Sequence, residues 1–176
     1  ISDILPDKNG LWVGTEYGLD FYETETNTFT HYRASSTSSN SISSNSITAI
    51  FKDSRGTLWV GTTNAGLNAY NPETGIYQVY KYRENDETSL SHNRVLSIQE
   101  GKNGDLWVGT ANGLNRFELA GKYFTRFMSS KDDPDSIGGN LIYTIYKDHS
   151  GGLWVGTNNG LDRYDKQTKK FIHHRH

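Results

Sequence analysis

The 176-residue chain has no cysteine, only three prolines and a single methionine. Without cysteine there can be neither a disulfide framework nor a thiolate metal site. No sign of charge dominates, because 18 Lys and Arg meet 20 Asp and Glu, for a formal net charge of −2. No basic stripe appears, which argues against nucleic acid or an anionic membrane surface as partner. Hydrophobic residues make up 34% of the chain, and no apolar run approaches the roughly 18 residues that suggest a membrane span. No charged-then-apolar signal segment leads the chain, which opens on Ile1 rather than Met. A piece of a longer polypeptide is therefore expected, with any targeting signal or anchor outside it.

What is present is repetition. Trp12, Trp59, Trp107 and Trp154 each open the tetrapeptide Trp-Val-Gly-Thr, 47, 48 and 47 residues apart. A fixed period of this size means four copies of one supersecondary unit. Each copy begins with an apolar alternation, such as Ile47-Thr-Ala-Ile-Phe or Ile142-Tyr-Thr-Ile-Tyr, and passes through a turn, Asp7 to Gly10, Asp53 to Gly56, Gly101 to Gly104 or Asp148 to Gly151. In such turns an Asx side chain folds back on its own backbone while Gly supplies positive φ. The next segment, Leu-Trp-Val-Gly-Thr, is β-branched and aromatic, hence a strand. Its glycine marks a place where a neighbour must come close.

A second turn follows at Tyr17-Gly18, Asn64-Ala65-Gly66, Asn112-Gly113 and Asn159-Gly160. Asn-Gly between apolar alternations predicts a hairpin in which both central residues take positive φ, and the longer second copy predicts a three-residue loop with Gly left-handed. A third segment ends on Tyr22, Tyr70, Phe117 and Tyr164, and a fourth opens seven residues later on Phe29, Tyr77, Phe124 and Phe171. No segment keeps helical spacing. The expected fold is all-β: four four-stranded antiparallel meanders stacked as β-propeller blades, over approximately 1–33, 46–83, 94–128 and 141–176, forming a partial propeller or half-ring. A parallel β-helix is disfavoured by the hairpins. The four tryptophans are expected to pack between blades.

The connections between copies are long and polar yet share a sub-motif, Ser41-Ile42-Ser43-x-Asn45, Ser89-Leu90-Ser91-x-Asn93 and Ser136-Ile137-Gly138-x-Asn140. The apolar residue is expected to anchor the loop, and Asn45, Asn93 and Asn140 to cap the next strand by bonding local backbone. In a propeller these loops share a face with the second-to-third-strand hairpins, and loops on rigid scaffolds carry function. The variable positions there, Glu16, Tyr17, Thr63, Asn64, His92, Ala111, Asn112 and Asn158, are the candidate ligand-binding residues.

Signs of catalysis are sparse. His31, His92 and His149 occupy different repeat positions, and His173, His174 and His176 form a terminal run fit at most for fortuitous metal binding. The Asp-x-x-Gly turns lack the oxygen-ligand succession of a calcium loop. No catalytic residue, resident metal or cofactor is expected.

The string Asn-x-Ile-x-x-Ile-x-x-Asp-x-x-Gly-x-Leu-Trp-Val-Gly-Thr-x-x-Gly-Leu-x-x-Tyr, best kept at Asn45 to Tyr70 and Asn140 to Tyr164, resembles the two-component regulator propeller repeat, with Asp133 to Ile137 as lead-in. The resemblance covers essentially the whole chain. It implies a periplasmic, membrane-anchored sensor region of one-chain hybrid histidine kinases of Bacteroidetes type, without catalysis in this part, and recognition of an oligosaccharide or related nutrient. Such regions usually hold many more than four blades, so self-association through exposed blade edges is expected. A protein-interaction scaffold is the alternative. A streptogramin-lyase-like enzyme is disfavoured because those repeats run on to Phe-Thr-Glu after Trp.

Overall fold

Short alternations of apolar and polar residues, broken every five or six positions by Gly, Asn or Asp, favour strands too brief for any sheet but a meander. The computed structural model describes residues 1–174 and contains sixteen strands and, among these residues, no helix. The first blade holds β1 (Asp3–Asp7), β2 (Gly10–Thr15), β3 (Gly18–Glu23) and β4 (Thr28–Tyr32), and the second β5 (Ile47–Lys52), β6 (Leu58–Thr62), β7 (Leu67–Asn71) and β8 (Ile76–Tyr80). The third comprises β9 (Val95–Glu100), β10 (Leu106–Thr110), β11 (Gly113–Glu118) and β12 (Tyr123–Phe127), and the fourth β13 (Ile142–Lys147), β14 (Leu153–Thr157), β15 (Gly160–Asp165) and β16 (Lys170–His174). Every strand pairs with its sequence neighbour, giving four separate four-stranded sheets. The expected all-β propeller-blade architecture is what forms.

The chain divides into two compact units, Ile1–Lys81 with Asn93–Val95, and Tyr82–His92 with the chain from Leu96 on. In the first unit Trp12, Leu19, Ile42, Ile47, Ile50, Leu58, Val60 and Tyr70 form one core, so the facing sides of two blades are buried against each other. In the second unit Trp107 and Leu114 meet Ile142, Leu153, Val155, Tyr164 and Phe171 in the same way. The repeated glycine sits at this contact. A Cβ added to Gly14 would stand 2.8 Å from Ile47 Cγ2, and one added to Gly109 would stand 2.6 Å from Ile142 Cγ2. Hydrogen bonds reinforce the stacking: Ser2 Oγ donates to the Ile47 carbonyl at 2.7 Å, and Ile145 N donates to Ser97 Oγ at 2.9 Å. Trp12, Trp59 and Trp107 are buried, whereas Trp154 is only partly so.

The second-to-third-strand hairpins differ from the Asn-Gly expectation. Thr15 pairs with Gly18, Thr110 with Gly113 and Thr157 with Gly160. The loop residues are thus 16–17, 111–112 and 158–159, and the glycine is the first residue of the following strand. Positive φ falls on that glycine alone (Gly18 137°, Gly113 109°, Gly160 116°) and not on the asparagine before it. The repeated threonine explains this: Thr110 Oγ1 accepts from Asn112 N at 3.1 Å and donates to the Gly113 carbonyl at 2.9 Å. A side chain closes the turn, so a mirror-image turn is unnecessary. In the second blade residues 63–66 separate the strands, one more than the expected three, and Gly66 takes the expected positive φ of 83°.

Candidate functional site

The crossover loops are built to one plan. Ile42, Leu90 and Ile137 are almost wholly buried beneath them. Ser35 N, Arg83 N and Ser130 N donate to Ser41, Ser89 and Ser136 Oγ respectively, six residues on. The loop is then pinned to the third strand of the blade it leads into, because Ser43 N donates to Asn68 Oδ1, Ser91 N to Asn115 Oδ1 and Gly138 N to Asp162 Oδ2, all at 2.8–2.9 Å. Asn45 and Asn140 do not cap the following strand as anticipated. Their Oδ1 atoms accept at 2.7 Å from Ala34 N and Ser129 N, eleven residues earlier, and so clasp the loop mouth. A long polar segment has to satisfy its own backbone, and this cross-loop bond does so where a local cap would leave the mouth open. Asn93 is half-buried at the same place in the second crossover.

These loops meet the second-to-third-strand hairpins at one end of each blade, as Ser43 Oγ to the Ala65 carbonyl (3.1 Å) and Asn159 Nδ2 to the Gly138 carbonyl (2.8 Å) show. Within the first unit the structure brings three of the sequence-selected residues together. Glu16, Tyr17 and Thr63 line a cavity of about 370 Å³ with the hydroxyls of Ser2, Ser46 and Thr48. Tyr17 is 80% exposed and its ring is free to meet a ligand face. Thr63 Oγ1 lies 2.9 Å from Ser46 Oγ. Asn64 is exposed outside this cavity.

The others stand apart. Ala111 and Asn112 form the third-blade hairpin, where Asn112 is exposed, and His92 is exposed on the preceding crossover. Asn158 is used by the fold, exchanging bonds with the backbone of Leu141 (Leu141 N to Oδ1, and Asn158 N to the Leu141 carbonyl, both 3.1 Å). It also borders an open cavity of about 880 Å³ with Trp154, Leu161, His173 and His174.

Sequence reasoning missed one pattern of side chains. Trp12 Nε1 donates to Asp7 Oδ2 at 2.9 Å, Trp59 Nε1 to Asp53 Oδ2 at 2.9 Å and Trp154 Nε1 to Asp148 Oδ2 at 2.8 Å. Each first-turn aspartate thereby latches the indole of the second strand, and the third copy, with Gly101, has no such acid. The Asp-to-Trp spacing, five residues in the first copy and six in the second and fourth, was the available signal. Hydrogen bonds from Ser150, the Trp154 indole and the Gly152 backbone hold the Asp148 carboxyl well below the usual carboxylate range. Burial raises the Asp7 carboxyl, but bonds from Lys52, the Trp12 indole and Lys8 N outweigh it and the group is lowered.

Of the histidines, His31 Nδ1 lies 2.7 Å from Asp20 Oδ1, and His173 bridges Asp162 Oδ1 (2.5 Å) and the Pro134 carbonyl (2.9 Å). Among the described residues no group of three or more His, Asp or Glu is arranged to hold a metal ion. The rest of the terminal run singled out in the sequence, Arg175 and His176, lies outside the described residues.

The family model described as "Two component regulator propeller" matches residues 41–64, 89–112 and 136–159, each span running from the crossover sub-motif through the second-to-third-strand hairpin. No curated protein matches the chain. Among solved structures, the extracellular domain of the putative hybrid two component system BT3049 from B. thetaiotaomicron is 28% identical with a TM-score of 0.67, over 96% of this chain and 29% of that one. The corresponding domain of BT4673 from the same organism is 22% identical, TM-score 0.53, over 90% of this chain and 26% of that one. A streptogramin B lyase is 15% identical at a TM-score of 0.71, over 98% of this chain and 53% of that one, a likeness of fold. The chain thus spans less than a third of the length of the two-component domains. Its second, third and fourth repeats thus match the two-component regulator propeller model.

Proposed function

We propose that the chain is a non-catalytic ligand-binding segment of the periplasmic sensor region of a membrane-anchored two-component signalling protein, and that it recognises carbohydrate or a related nutrient. The observation that carries this reading is the cavity in the first unit. An exposed tyrosine ring, one carboxylate and five Ser and Thr residues converge there. Such a mixture suits a sugar, with an apolar face for the ring and hydroxyls to exchange hydrogen bonds. The 28% identity to an extracellular two-component domain supports the signalling context.

Titration calorimetry and thermal shift against a broad panel of glycan fragments test the reading. Binding of at least one fragment is expected, weakened tenfold or more by Tyr17→Ala without loss of fold. Silence across the panel, or binding indifferent to Tyr17, Glu16 and Thr63 substitutions, removes it.

A further inference from the structure

Three of the four repeated indoles end on an aspartate, and the fourth ends on nothing. Trp107 is only 3% exposed, and its Nε1–H has no hydrogen-bond partner among the described residues. The ring is buried, but among the described residues the only fully buried side-chain polar atom without a partner is the Tyr77 hydroxyl, so this unpaired nitrogen is open to the space beside it. The cause is local: the third copy places Gly101 where its sisters place Asp7, Asp53 and Asp148. A Cβ built on Gly101 would lie 2.9 Å from Trp107 Nε1, so the indole nitrogen faces the position from which the side chain is missing.

Space opens beside this gap. A cavity of about 250 Å³ is lined by Gly101, Trp107, Lys102, Arg163, Lys166 and Asp148, among others. It lies at the first-turn end of the blades, opposite the crossover loops. Its charges are unequal in availability. Asp148 already accepts from Ser150, Gly152 and Trp154, and Asp165, also on the wall, accepts from Gln167 N. Lys102 and Arg163 form no salt bridge among the described residues, although Arg163 acts on Asp165 through space, and Lys166 Nζ reaches only the Asn103 amide oxygen at 3.2 Å. The walls therefore present one unpaired N–H and three cations, against two carboxylates already engaged in hydrogen bonds.

We propose that this cavity binds a small carboxylate, one of whose oxygens accepts the Trp107 Nε1–H in the manner of the aspartate in the other three blades. Charge-assisted acceptance of that kind is what the indole meets elsewhere in the same fold. The excess of three cations over two carboxylates favours an anion, and the volume limits the ligand to a simple organic acid or a single acidic sugar. The site is separate from the Tyr17 cavity, so either can fail without the other.

The test uses the intact chain, ¹⁵N-labelled, whose indole N–H resonances are followed after sequential assignment. Sodium acetate, sodium glucuronate, glucose and sodium chloride are titrated at constant pH and ionic strength. The Trp107 indole signal is expected to move alone and saturably with acetate or glucuronate, and not with glucose or chloride. Saturation by glucuronate at tenfold lower concentration than by acetate assigns the site to acidic sugars, and comparable saturation assigns it to simple carboxylates. Gly101→Asp installs the missing acid and should fix the Trp107 signal throughout the titration, whereas Gly101→Ala should not. If Gly101→Asp fails to fold, Lys102→Ala provides the check, with half-saturation expected to rise at least threefold. A Trp107 signal indifferent to both carboxylates, or one that responds equally to glucose or chloride, overturns the proposal.

Discussion

At the scale of single residues, the Asp–Trp latch connects two parts of the repeat that look independent in sequence. Asp53 is 4% exposed and accepts from Trp59 Nε1, Arg55 N, Thr57 N and the Arg55 guanidinium. Asp53→Ala strands several of these donors in a buried place, so a loss of about 1–3 kcal/mol is expected in denaturant unfolding. Tyr77 offers the opposite case. Its hydroxyl is buried without a partner among the described residues, and burial, with Tyr70 and Tyr32 nearby, pushes its ionisation well above the ordinary tyrosine range. Tyr77→Phe removes an unsatisfied group and keeps the ring stacked on Tyr70 at 4.4 Å between centroids. The variant should be as stable as the parent or more so, by up to about 1 kcal/mol, in the same assay. Acid should act through the latches. The lowered Asp7 and Asp148 carboxyls contribute stability that is complete above the unfolded value of 3.8 and is lost as pH falls through their folded values. Unfolding midpoints measured from pH 6 to pH 2 should therefore stay level to about pH 4 and drop below it. A flat profile to pH 2 would mean the latches do not couple to folding.

At the scale of elements, strands, first turns and loop anchors were legible because each rests on local chemistry: period-two alternation, Asx turns with Gly, and one apolar residue in a polar loop. Two features were not. The hairpin at Asn112-Gly113 looks in sequence like a mirror-image turn, yet it is closed by the Thr110 hydroxyl, which bonds Asn112 N and the Gly113 carbonyl. The partner of Asn45 could not be read either, because the bond to Ala34 closes a loop whose course only the fold defines. The candidate site was partly legible. Of the variable hairpin positions, Glu16, Tyr17 and Thr63 line one cavity, but sequence spacing alone could not separate them from Asn158, which serves its own loop. The glycine of Trp-Val-Gly-Thr makes a sharper case, since its reason lies on the neighbouring blade. Gly109→Ala sets a methyl 2.6 Å from Ile142 Cγ2 and 3.0 Å from its Cβ, a clash that the blades relieve only by parting. A loss of about 1–3 kcal/mol is expected, visible as a lower melting temperature by calorimetry.

At the scale of the whole molecule, apolar side chains remain on the surface of both terminal blades. In the first blade Ile1, Ile4 and Phe29 are at least half exposed, and in the fourth Tyr143 and Tyr146 are too. The counterparts of Phe29 in the third and fourth blades, Phe124 and Phe171, are buried. Exposed apolar groups of this extent favour association, and we propose that the isolated chain self-associates through these blades. Sedimentation velocity should show a concentration-dependent rise in mass over the micromolar range, diminished by Ile1→Asp with Ile4→Asp. A single monomeric species at tens of micromolar, for the unaltered chain, would reject this.

Because all four strands of a blade come from one uninterrupted stretch of about 47 residues, and its crossover loop is clasped by its own asparagine, a tandem duplication of that stretch in the gene would add a finished sheet together with its connector. No existing strand would lose its ladder and no partner would have to change. Copy number in such a chain can therefore drift by whole units while each new unit is free to alter two hairpin residues, so recognition surfaces can diversify without renegotiating the scaffold that presents them.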